Sequence, residues 1–391
     1  MEGLFFLLYS VATAFAYVIS LPFLAIFSLK AKYKDSIPAR FFLRHNSPLK
    51  ENGIWFHVCS FGEAKAIASL VEKFPKEKLR MSAITHTGFE VIRTYASQSR
   101  YLPFEPLLFG WIKPQRALVV MEAEFWYLLF ALAKKRGAKT ILINARMSDR
   151  SFPKYLKMAW LYRHIFKQID EVYAQSRLDK ERLEQLGAKN VRVTGNIKLA
   201  SLPSVQHKLE KPSHMVVCAA STHEGEEGLV LEAYRALKKE EPEAMLIVVP
   251  RHPERFESVE KMLQAFSHEM DIAYERYSQN LGMKSDVVLV DVLGALVDIY
   301  AISDLVILGG AFEPIGGHNA AEAAQFGCKI ISGEHYFNQK DIFEACEGIA
   351  VVEASNLTKR VLQHHMLKPA RIKYQADITP IIESLQDVLS D

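Results

Sequence analysis

Short apolar runs alternate with helical segments along most of the chain, and this alternation restricts the fold more than any other feature of the sequence. In the first half the runs cover residues 54–59, 81–85, 117–121, 140–144 and 171–175. Strands that alternate regularly with helices are typical of parallel sheets with helices on both faces. The pattern predicts an α/β fold built from Rossmann-like sheets.

The alternation lapses between residues 199 and 214 and then restarts, which indicates a linker between two domains. The second set of apolar runs covers residues 215–220, 245–249, 287–290, 305–308 and 329–331. A chain of 391 residues is also too long for one ordinary core. We therefore predict a Rossmann-like domain over residues 30–204 and a second one over residues 205–391, whose last helix packs back on the first domain.

Open parallel sheets bind ligands beyond the carboxyl ends of their strands. Two such domains in succession predict a cleft between them, into which both domains would direct loop residues. We therefore expect the functional side chains in the loops that directly follow the predicted strands.

The amino terminus has a different character, because residues 3–29 carry no charged side chain. A bilayer core needs roughly 20 apolar residues in a helix, so residues 1–29 are predicted to form a membrane anchor. The basic residues between 30 and 44 favour the cytoplasmic side and would leave the short amino terminus outside. A cleaved signal peptide has its basic region first, not last. A half-inserted anchor broken at Pro22 is the alternative.

The composition of the whole chain, with 49% hydrophobic and 24% charged residues, is that of a folded protein, and the part after the anchor is predicted to be cytosolic. The four cysteines include no CxxC pair, so neither a zinc ribbon nor a disulfide framework is indicated. A net charge of +3 gives no broad basic excess, and nucleic acid is not an expected partner.

Acidic residues follow two of the predicted strands in the first domain. Glu63 begins a helix directly after the first strand, where a carboxylate could act as a general base or simply favour the helix start. Glu122 and Glu124 follow the strand at 117–121, and Glu is rarely buried without a partner. They are expected to face the cleft or to form a structural ion-pair network with Arg146 or Arg150.

Paired glycines mark the corresponding region of the second domain. Gly309-Gly310 ends an apolar run, and Gly316-Gly317 opens an alanine-rich helix with Glu322 about one turn in. Small residues let backbone N–H groups approach an anion, and a helix N-terminus favours one. A nucleotide-sugar site and an ordinary glycine-containing βα turn are equally supported.

Three further loops supply candidate ligands for an anion. Ser221 and Thr222 are predicted to cap the next helix and expose its N–H groups, although a zinc-protease motif is excluded because position 227 is Glu rather than His. Arg251 follows the strand at 245–249 and is a phosphate candidate. Lys198, near the linker, is a second cation aimed the same way.

Residues 154–167 combine aromatic and basic side chains on what is predicted to be one helix. Such a helix suits a membrane interface. A core helix with a solvated basic face is the equally supported alternative.

Together these stretches resemble the 3-deoxy-D-manno-octulosonic acid (Kdo) transferases of Gram-negative lipid A synthesis. The similarity covers essentially the whole chain in order and spacing. The matching stretches are residues 60–63 (SFGE), 85–88 (THTG), 101–104 (YLPF), 121–124 (MEAE), 144–151 (NARMSDRS), 194–198 (TGNIK), 221–227 (STHEGEE), 249–256 (VPRHPERF), 309–310 (GG), 316–319 (GGHN) and 337–338 (FN).

The resemblance implies a GT-B glycosyltransferase that inverts the configuration of Kdo as it passes from CMP-Kdo to the 6′-hydroxyl of a lipid A precursor. It implies an N-terminal acceptor domain and a C-terminal donor domain on the cytoplasmic face of the inner membrane. By resemblance Glu63 is the base, and Glu122 and Lys198 stabilise the transition state. No cofactor or metal is implied, because the leaving group is a phosphate monoester. The implied CMP contacts are Pro250, Arg251, His252, Leu293, Gly294, Ala295, Asn319, Ala320, Ala321 and Glu322.

Several positions depart from the family pattern. Ala295 stands where an acid is usual, Ala200 where Asp is common, Tyr127-Leu128 where Pro-Asn is common, and Glu334 where proline is usual. The first departure places one nucleotide contact in doubt. A GT-B transferase that uses a UDP-sugar, and a membrane-tethered binding protein without catalysis, are the alternative functions.

Overall fold

The structure is a computed structural model that describes residues 2–30, 33–200, 202–280, 283–374 and 376–390. The chain divides into two compact units. Unit 1 comprises Met1–Ser201 with Gln375–Asp391, and unit 2 comprises Leu202–Tyr374. The passage from one unit to the other therefore falls within the linker predicted at residues 199–214.

Each unit is organised around one seven-stranded sheet. The strands are β1 (Ile54–Val58), β2 (Leu79–Ala83), β3 (Ser99–Tyr101), β4 (Ala117–Met121), β5 (Lys139–Ala145), β6 (Glu171–Ala174), β7 (Val191–Val193), β8 (Val216–Thr222), β9 (Met245–Pro250), β10 (Tyr274–Arg276), β11 (Val287–Leu289), β12 (Leu305–Leu308), β13 (Lys329–Ser332), β14 (Cys346–Glu347), β15 (Ile349–Val351) and β16 (Arg371–Ile372).

Helices connect most of these strands. They are α1 (Glu2–Phe27), α2 (Ser36–Phe42), α3 (Phe61–Ala66), α4 (Ala68–Val71), α5 (His86–Tyr95), α6 (Leu108–Trp111), α7 (Tyr127–Lys135), α8 (Phe152–Lys157), α9 (Ala159–Phe166), α10 (Arg177–Gln185), α11 (Glu226–Glu240), α12 (Phe256–Met270), α13 (Leu296–Tyr300), α14 (Ala321–Ala324), α15 (Lys340–Ala345), α16 (Leu357–Leu362) and α17 (Thr379–Ser390).

The sheet of unit 1 is entirely parallel, in the order β3-β2-β1-β4-β5-β6-β7. All five residues of β1 and all five of β4 are buried, because helices cover both faces of the sheet. The chain moves outward in one direction from β1 and in the other from β4. The topological switch point, where ligands bind in such sheets, therefore lies between the carboxyl ends of β1 and β4.

The main sheet of unit 2 is also parallel, in the order β10-β11-β9-β8-β12-β13-β15. Its switch point lies between β8 and β12. A separate antiparallel pair joins β14 to β16. The predicted α/β class with two parallel-sheet units and an apolar N-terminal helix is confirmed, whereas the predicted cleft stays a prediction.

Helix α17 belongs to unit 1 although it follows unit 2 in the chain. Ile381 and Leu385 are fully buried in the core of unit 1. Ser384 Oγ donates a hydrogen bond to Glu171 Oε2 (2.6 Å). Apolar and polar contacts together therefore fasten the end of the chain to the first sheet.

The alternative of a helix broken at Pro22 and the expectation of a single helix at 154–167 are both wrong. Helix α1 runs from Glu2 to Phe27 without a break at Pro22, which removes one N–H donor but does not end the helix. Within the residues that the structure describes, α1 is the one helix that is long and apolar enough to cross a membrane. The predicted single helix at 154–167 is divided into α8 and α9 at Met158, whose backbone (φ −106°, ψ 20°) leaves the helical range.

Candidate functional site

The acidic candidates of unit 1 lie at its topological switch point. β1 and β4 are hydrogen-bonded neighbours, with His57 opposite Val120 near their carboxyl ends. Glu63 is carried by α3, which follows β1, and Glu122 directly follows β4. The fold therefore brings together two acidic residues that are far apart in the sequence.

Glu63 is held by the start of its own helix. Ser60 is the N-cap of α3, and its hydroxyl accepts from Glu63 N (3.4 Å) and donates to Glu63 Oε1 (3.0 Å). The other carboxylate oxygen, Oε2, accepts from the backbone N–H of Cys59 (2.7 Å). This arrangement resembles a capping box, except that the backbone donor is Cys59, the residue before the N-cap, and it holds the side chain of Glu63, a residue that is 91% buried.

Burial raises the pKa of Glu63 to about 7, and the negative charges of Glu122 and Glu124 contribute in the same direction. The hydrogen bonds from Cys59 and Ser60 oppose the shift. A carboxyl group with a pKa near the working pH is well matched to accepting a proton from a substrate hydroxyl.

Glu122 is positioned by strained backbone and by a cation. Its φ of 59° lies in the left-handed region, which a non-glycine residue adopts at a cost of order 1–3 kcal/mol. The Nζ atom of Lys198 lies 3.7 Å from Glu122 Oε1. The structure thus brings Lys198 to the edge of the sheet that carries both glutamates.

Asn144 connects Glu122 with the segment that carries Lys198. This residue is fully buried with φ 52°, and its Nδ2 donates to Glu122 Oε1 (3.3 Å). Its Oδ1 accepts from Ile197 N (3.0 Å), directly before Lys198. No role was predicted for Asn144, because neither its backbone angle nor this bridge has a local signal in the sequence.

Cys59 lies beside Glu63, and Arg40 lies close to Cys59 and Glu124; neither residue was predicted as a site residue. Burial raises the pKa of the Cys59 thiol to about 12, and the charges of Glu124 and Glu63 act in the same direction. The positive charge of Arg40 acts on Cys59 and Glu124, while its Nε donates to Leu102 O (3.0 Å). Arg40 belongs to α2, so only tertiary packing reveals its place.

In unit 2 the backbone groups of the paired glycines form hydrogen bonds within their own loop. Glu226 Oε2 accepts from Gly310 N (2.8 Å) and from His223 N (2.9 Å). The N–H groups of Gly316 and Gly317 both donate to Gly310 O, at 3.0 and 2.6 Å. Of the two alternatives, the structure favours the ordinary glycine-containing turn, because a buried carboxylate and a carbonyl already accept from these N–H groups.

The expected caps at Ser221 and Thr222 are also wrong. Both residues belong to β8, because pairing of Thr222 with Pro250 extends the strand past an irregularity at Ser221, which has φ 54°. Helix α11 begins after Gly225 without a side-chain cap.

A cationic and imidazole cluster occupies the switch point of unit 2. His223 Nε2 lies 2.9 Å from His318 Nε2, and the ring of His252 lies edge-on to that of His223 at 5.3 Å. Arg251 follows β9, and its N–H donates to Thr222 O (3.0 Å). Burial, followed by the charge of His223, lowers the pKa of His318 to about 4. The pKa of His223 is also lowered, first by burial and then by His252.

Asn319 and Glu322 form a hydrogen-bonded polar pair, and the positive charge of Arg251 acts on Glu322. Asn319 Nδ2 donates to Glu322 Oε1 (3.1 Å), and Asn319 Oδ1 accepts from Ala321 N (3.1 Å). Burial raises the pKa of Glu322, against the opposing effects of Asn319 and Arg251. The expected alanine-rich helix is a single turn, α14, with Glu322 as its second residue and with Ala320 and Ala321 fully buried.

The remaining predicted donor contacts lie on neighbouring loops of the same sheet edge. Pro250 is the last residue of β9. Leu293, Gly294 and Ala295 follow β11, the strand beside β9, and lead into α13. Leu293 is 77% exposed, Gly294 has φ 91°, and Ala295 is buried. This loop offers an apolar surface where the family pattern has an acid.

Glu227, in the same segment as Glu226, forms an ion pair with Arg255. Arg255 Nη2 donates to Glu227 Oε2 (3.0 Å), and the carboxylate is fully buried. This pair fixes the start of α11 against the loop after β9. Arg251 and His252, which precede Arg255 in that loop, are exposed to solvent.

Comparison with known proteins adds independent findings. Residues 35–201 match the family model described as 3-Deoxy-D-manno-octulosonic-acid transferase (kdotransferase). The chain is 32% identical to the 3-deoxy-D-manno-octulosonic acid transferase of Bordetella pertussis over 316 residues, which cover 74% of this chain and 72% of that protein. The transferase of Haemophilus influenzae is 29% identical over 366 residues, which cover 87% of this chain and 85% of its own length.

A bifunctional glycosyltransferase/methyltransferase of Fusobacterium nucleatum is 31% identical over 343 residues. The match covers 80% of this chain, which therefore spans only about half (52%) of the length of the Fusobacterium protein. Among solved structures, the C-terminal CMP-Kdo binding domain of WaaA from Acinetobacter baumannii matches 45% of this chain and 88% of that domain, with 26% identity and a TM-score of 0.35. Anabaena HepE in complex with UDP matches 86% of this chain and 99% of its own, with 13% identity and a TM-score of 0.42.

Proposed function

Because this chain belongs to the 3-deoxy-D-manno-octulosonic acid (Kdo) transferase family of glycosyltransferases, we propose that it transfers Kdo from CMP-Kdo to the 6′-hydroxyl of a lipid A precursor in lipopolysaccharide biosynthesis. The observation that carries the proposal is the carboxyl group of Glu63. It lies at the switch point of a parallel sheet and has a pKa of about 7.

The proposed reaction is a single displacement. Glu63 accepts the proton of the acceptor hydroxyl, whose oxygen forms a bond to the anomeric carbon of Kdo. The bond from that carbon to the phosphate oxygen of CMP breaks, and its electron pair leaves with CMP. Attack from the face opposite the leaving group inverts the configuration. Glu122 stabilises positive charge that develops at the anomeric carbon, and the Nζ atom of Lys198 lies 3.7 Å from its carboxylate.

Unit 2 is the proposed donor unit. Arg251 and His252 are exposed and follow a strand end, where a guanidinium suits a phosphate monoester. Glu322 and Asn319 form a polar pair suited to the ribose hydroxyls. The segment Leu293–Gly294–Ala295 would contact the nucleotide through its backbone, since Ala295 has no acidic group.

The proposed location is the cytoplasmic face of the inner membrane, with helix α1 as the only anchor within the described residues. The apolar composition of this helix and the basic residues after residue 29 support this location.

Mass spectrometry of the lipid product tests the proposal directly. The full chain is incubated with freshly generated CMP-Kdo and a tetra-acylated lipid A precursor, and a mass increase of one or more Kdo units is expected. A lipid that stays unmodified in the presence of folded protein contradicts the proposal.

Thermal shifts with CMP and UDP separate the alternatives, because only a nucleotide that binds the folded protein raises its melting temperature. Stabilisation by UDP alone would favour a UDP-sugar donor.

A further inference from the structure

Helix α1 divides its side chains between two faces in an unusual way. The polar side chains after Glu2 all lie on the face that packs against unit 1; they are Tyr9, Ser10, Thr13, Tyr17 and Ser20. The opposite face is apolar and lies open, with exposed fractions between 54% and 67% for Leu4, Leu7, Leu8, Val11, Phe15, Val18, Ile19, Phe23 and Ile26. A helix with its apolar face outward has its hydrophobic surface turned away from its own protein.

The inward face is attached to unit 1 by specific contacts. The hydroxyl of Tyr9 donates to Glu105 Oε2 (2.7 Å), a buried carboxylate whose Oε1 accepts from Leu128 N (2.7 Å). Phe5 stacks on His164 with ring centroids 3.9 Å apart. Further along, the hydroxyl of Tyr17 donates to the carbonyl of Phe41.

These contacts extend along the helix rather than gathering at one end. An ion pair joins Glu2 to Lys167 (3.0 Å), and the contact of Tyr17 lies fifteen residues further on. At 1.5 Å per residue this distance is about 22 Å. From Glu2 to Tyr17 the helix therefore lies along the surface of unit 1 instead of projecting from it.

This attachment conflicts with a helix that crosses the bilayer. The hydrocarbon core is about 30 Å thick, so a spanning α1 would carry the attached surface of unit 1 into it. That surface includes Lys167 and, 5.7 Å from the ring of Phe6, the ammonium group of Lys135. Charged groups are costly at that depth, whereas an interfacial helix buries only its apolar face, by about 5–10 Å.

We propose that α1 lies in the plane of the membrane, with its outward apolar face in the acyl chains and unit 1 in the cytoplasm, so that the chain does not cross the bilayer. The occupant of this face is a bilayer that contains anionic phospholipid. Lys135 and Lys167 lie beside the amino-terminal end of the helix, and Lys30 lies 4.6 Å from the ring of Phe27 at the other end. Cations at both ends complement anionic headgroups.

Two exposed aromatic residues of unit 1 continue the same surface. Phe109, 41% exposed, contacts Phe6 at 5.8 Å between ring centroids. Trp160, 56% exposed, contacts Phe5 at 6.2 Å. A tryptophan at the edge of an apolar face is suited to the membrane interface. This inference extends the membrane location proposed above and replaces the expectation that the amino terminus lies outside.

Labelling of a cysteine at the start of α1 tests the orientation. Gly3→Cys places a thiol where no other atom lies within 4 Å of the new Cβ. In intact cells that express the full chain, a membrane-impermeant maleimide is expected to leave this thiol unmodified until the inner membrane is opened. Lys189→Cys, on the exposed surface of unit 1, is the cytoplasmic control. Labelling of Gly3→Cys in intact cells would overturn the proposal, and the unsubstituted chain gives the background of the natural cysteines.

Fluorescence of the purified full chain tests the occupant. In vesicles of phosphatidylglycerol and phosphatidylethanolamine with brominated acyl chains, quenching is expected and Trp160→Phe should remove most of it. Phe15→Asp should weaken vesicle binding at least tenfold, whereas Met262→Asp, at an exposed apolar position of unit 2, should not. A stable dimer without vesicle binding would show that a second copy covers the face instead. These readouts need no substrate, so they can fail or succeed independently of Kdo transfer.

Discussion

The two units carry the same kind of sheet edge but opposite chemistry. At the switch point of unit 1, Glu63 and Glu122 supply carboxylates, one of which has a pKa near neutrality. At the switch point of unit 2, His223, His318 and Arg251 supply imidazoles and a cation. The topology therefore determines where a ligand can bind, and the side chains at that place determine whether the edge accepts a proton or holds an anion.

The two edges also use buried glutamate differently. Glu63 accepts two hydrogen bonds from the residues just before α3, and burial raises its pKa, as it also raises the pKa of Glu226. Glu226 accepts from the N–H groups of His223, Gly310 and Phe312. We interpret the first carboxylate as chemical and the second as structural, and the following predictions can break or sharpen that contrast.

The largest expected effect follows from Glu63→Gln. Glutamine keeps the length of the side chain and an acceptor for Cys59 N–H but cannot take up the proton. Kdo transfer should fall by roughly 10²–10⁴-fold, the usual contribution of a general base. Single-turnover assays measure the rate, and Glu72→Gln, on an exposed position of the same unit, is the control. Activity within tenfold of the parent protein would contradict the assignment.

The second prediction uses opposite pH dependences of stability. The folded-state pKa of Glu63 is raised to about 7 from an ordinary 4.5, so its stabilising contribution is complete below pH 4.5 and is lost as the pH rises through 7. The folded-state pKa of His318 is lowered to about 4 from an ordinary 6.5. The stabilising contribution of His318 is therefore present above pH 6.5 and is lost as the pH falls through 4. Each change amounts to ~3 kcal/mol at most.

Melting temperatures of two variants between pH 4 and pH 8 test these signs. Relative to the parent protein, Glu63→Gln should become more stable as the pH rises from 5 to 8. His318→Gln should gain relative stability as the pH falls from 7 to 4. Parallel profiles for the two variants would show that burial does not act on these groups as we describe.

A third prediction concerns the glycine loop of unit 2. A Cβ atom on Gly309 would lie 2.6 Å from Ser221 O and 2.7 Å from Glu226 Oε2. Gly309→Ala should therefore destabilise the protein by about 1–3 kcal/mol, the usual range for overpacking. Gly228→Ala, in α11 with no atom within 4 Å of the new Cβ, should instead stabilise it by up to about 1 kcal/mol. Chemical denaturation measures both, and equal effects would show that the loop can relax.

The smallest expected effect is on nucleotide binding. Arg251→Ala should weaken the binding of CMP about tenfold, in the range expected for one charge-assisted hydrogen bond. Isothermal titration calorimetry gives the dissociation constant. Arg235→Ala, which breaks a surface pair with Glu269, is the matched control. Unchanged affinity in the Arg251 variant would remove this residue from the proposed donor site.

Sequence patterns located the central strands well and the edge strands poorly. The predicted strands at 117–121 and 305–308 coincide with β4 and β12, because each is a continuous buried apolar run. The three-residue edge strands β3, β7, β10 and β15 were not predicted, since their residues include exposed or charged side chains and pair on one side only. Pairing across a sheet, which has no local signal, decides such strands.

The candidate site shows the same division between local and long-range causes. The positions of Glu63 after β1 and Arg251 after β9 follow from the order of strand and loop. The pairing of Glu122 with Lys198 does not, because 75 residues separate them in the chain and Asn144 connects them. The prediction of helix caps at Ser221 and Thr222 was wrong for the same reason. Pairing between β8 and β9 overrides the preference of these residues for the start of a helix.

By itself, the sequence determined the α/β class, the central strands and which loops hold an acid or a cation, because hydrophobic periodicity and strand-end position are local properties. Only the tertiary structure decided that Glu63 has a pKa near 7, that the paired glycines serve Glu226 and Gly310, and that α1 packs its polar face on unit 1. Each of these depends on atoms distant in the chain, since burial, hydrogen-bond competition and helix docking are properties of the packed molecule.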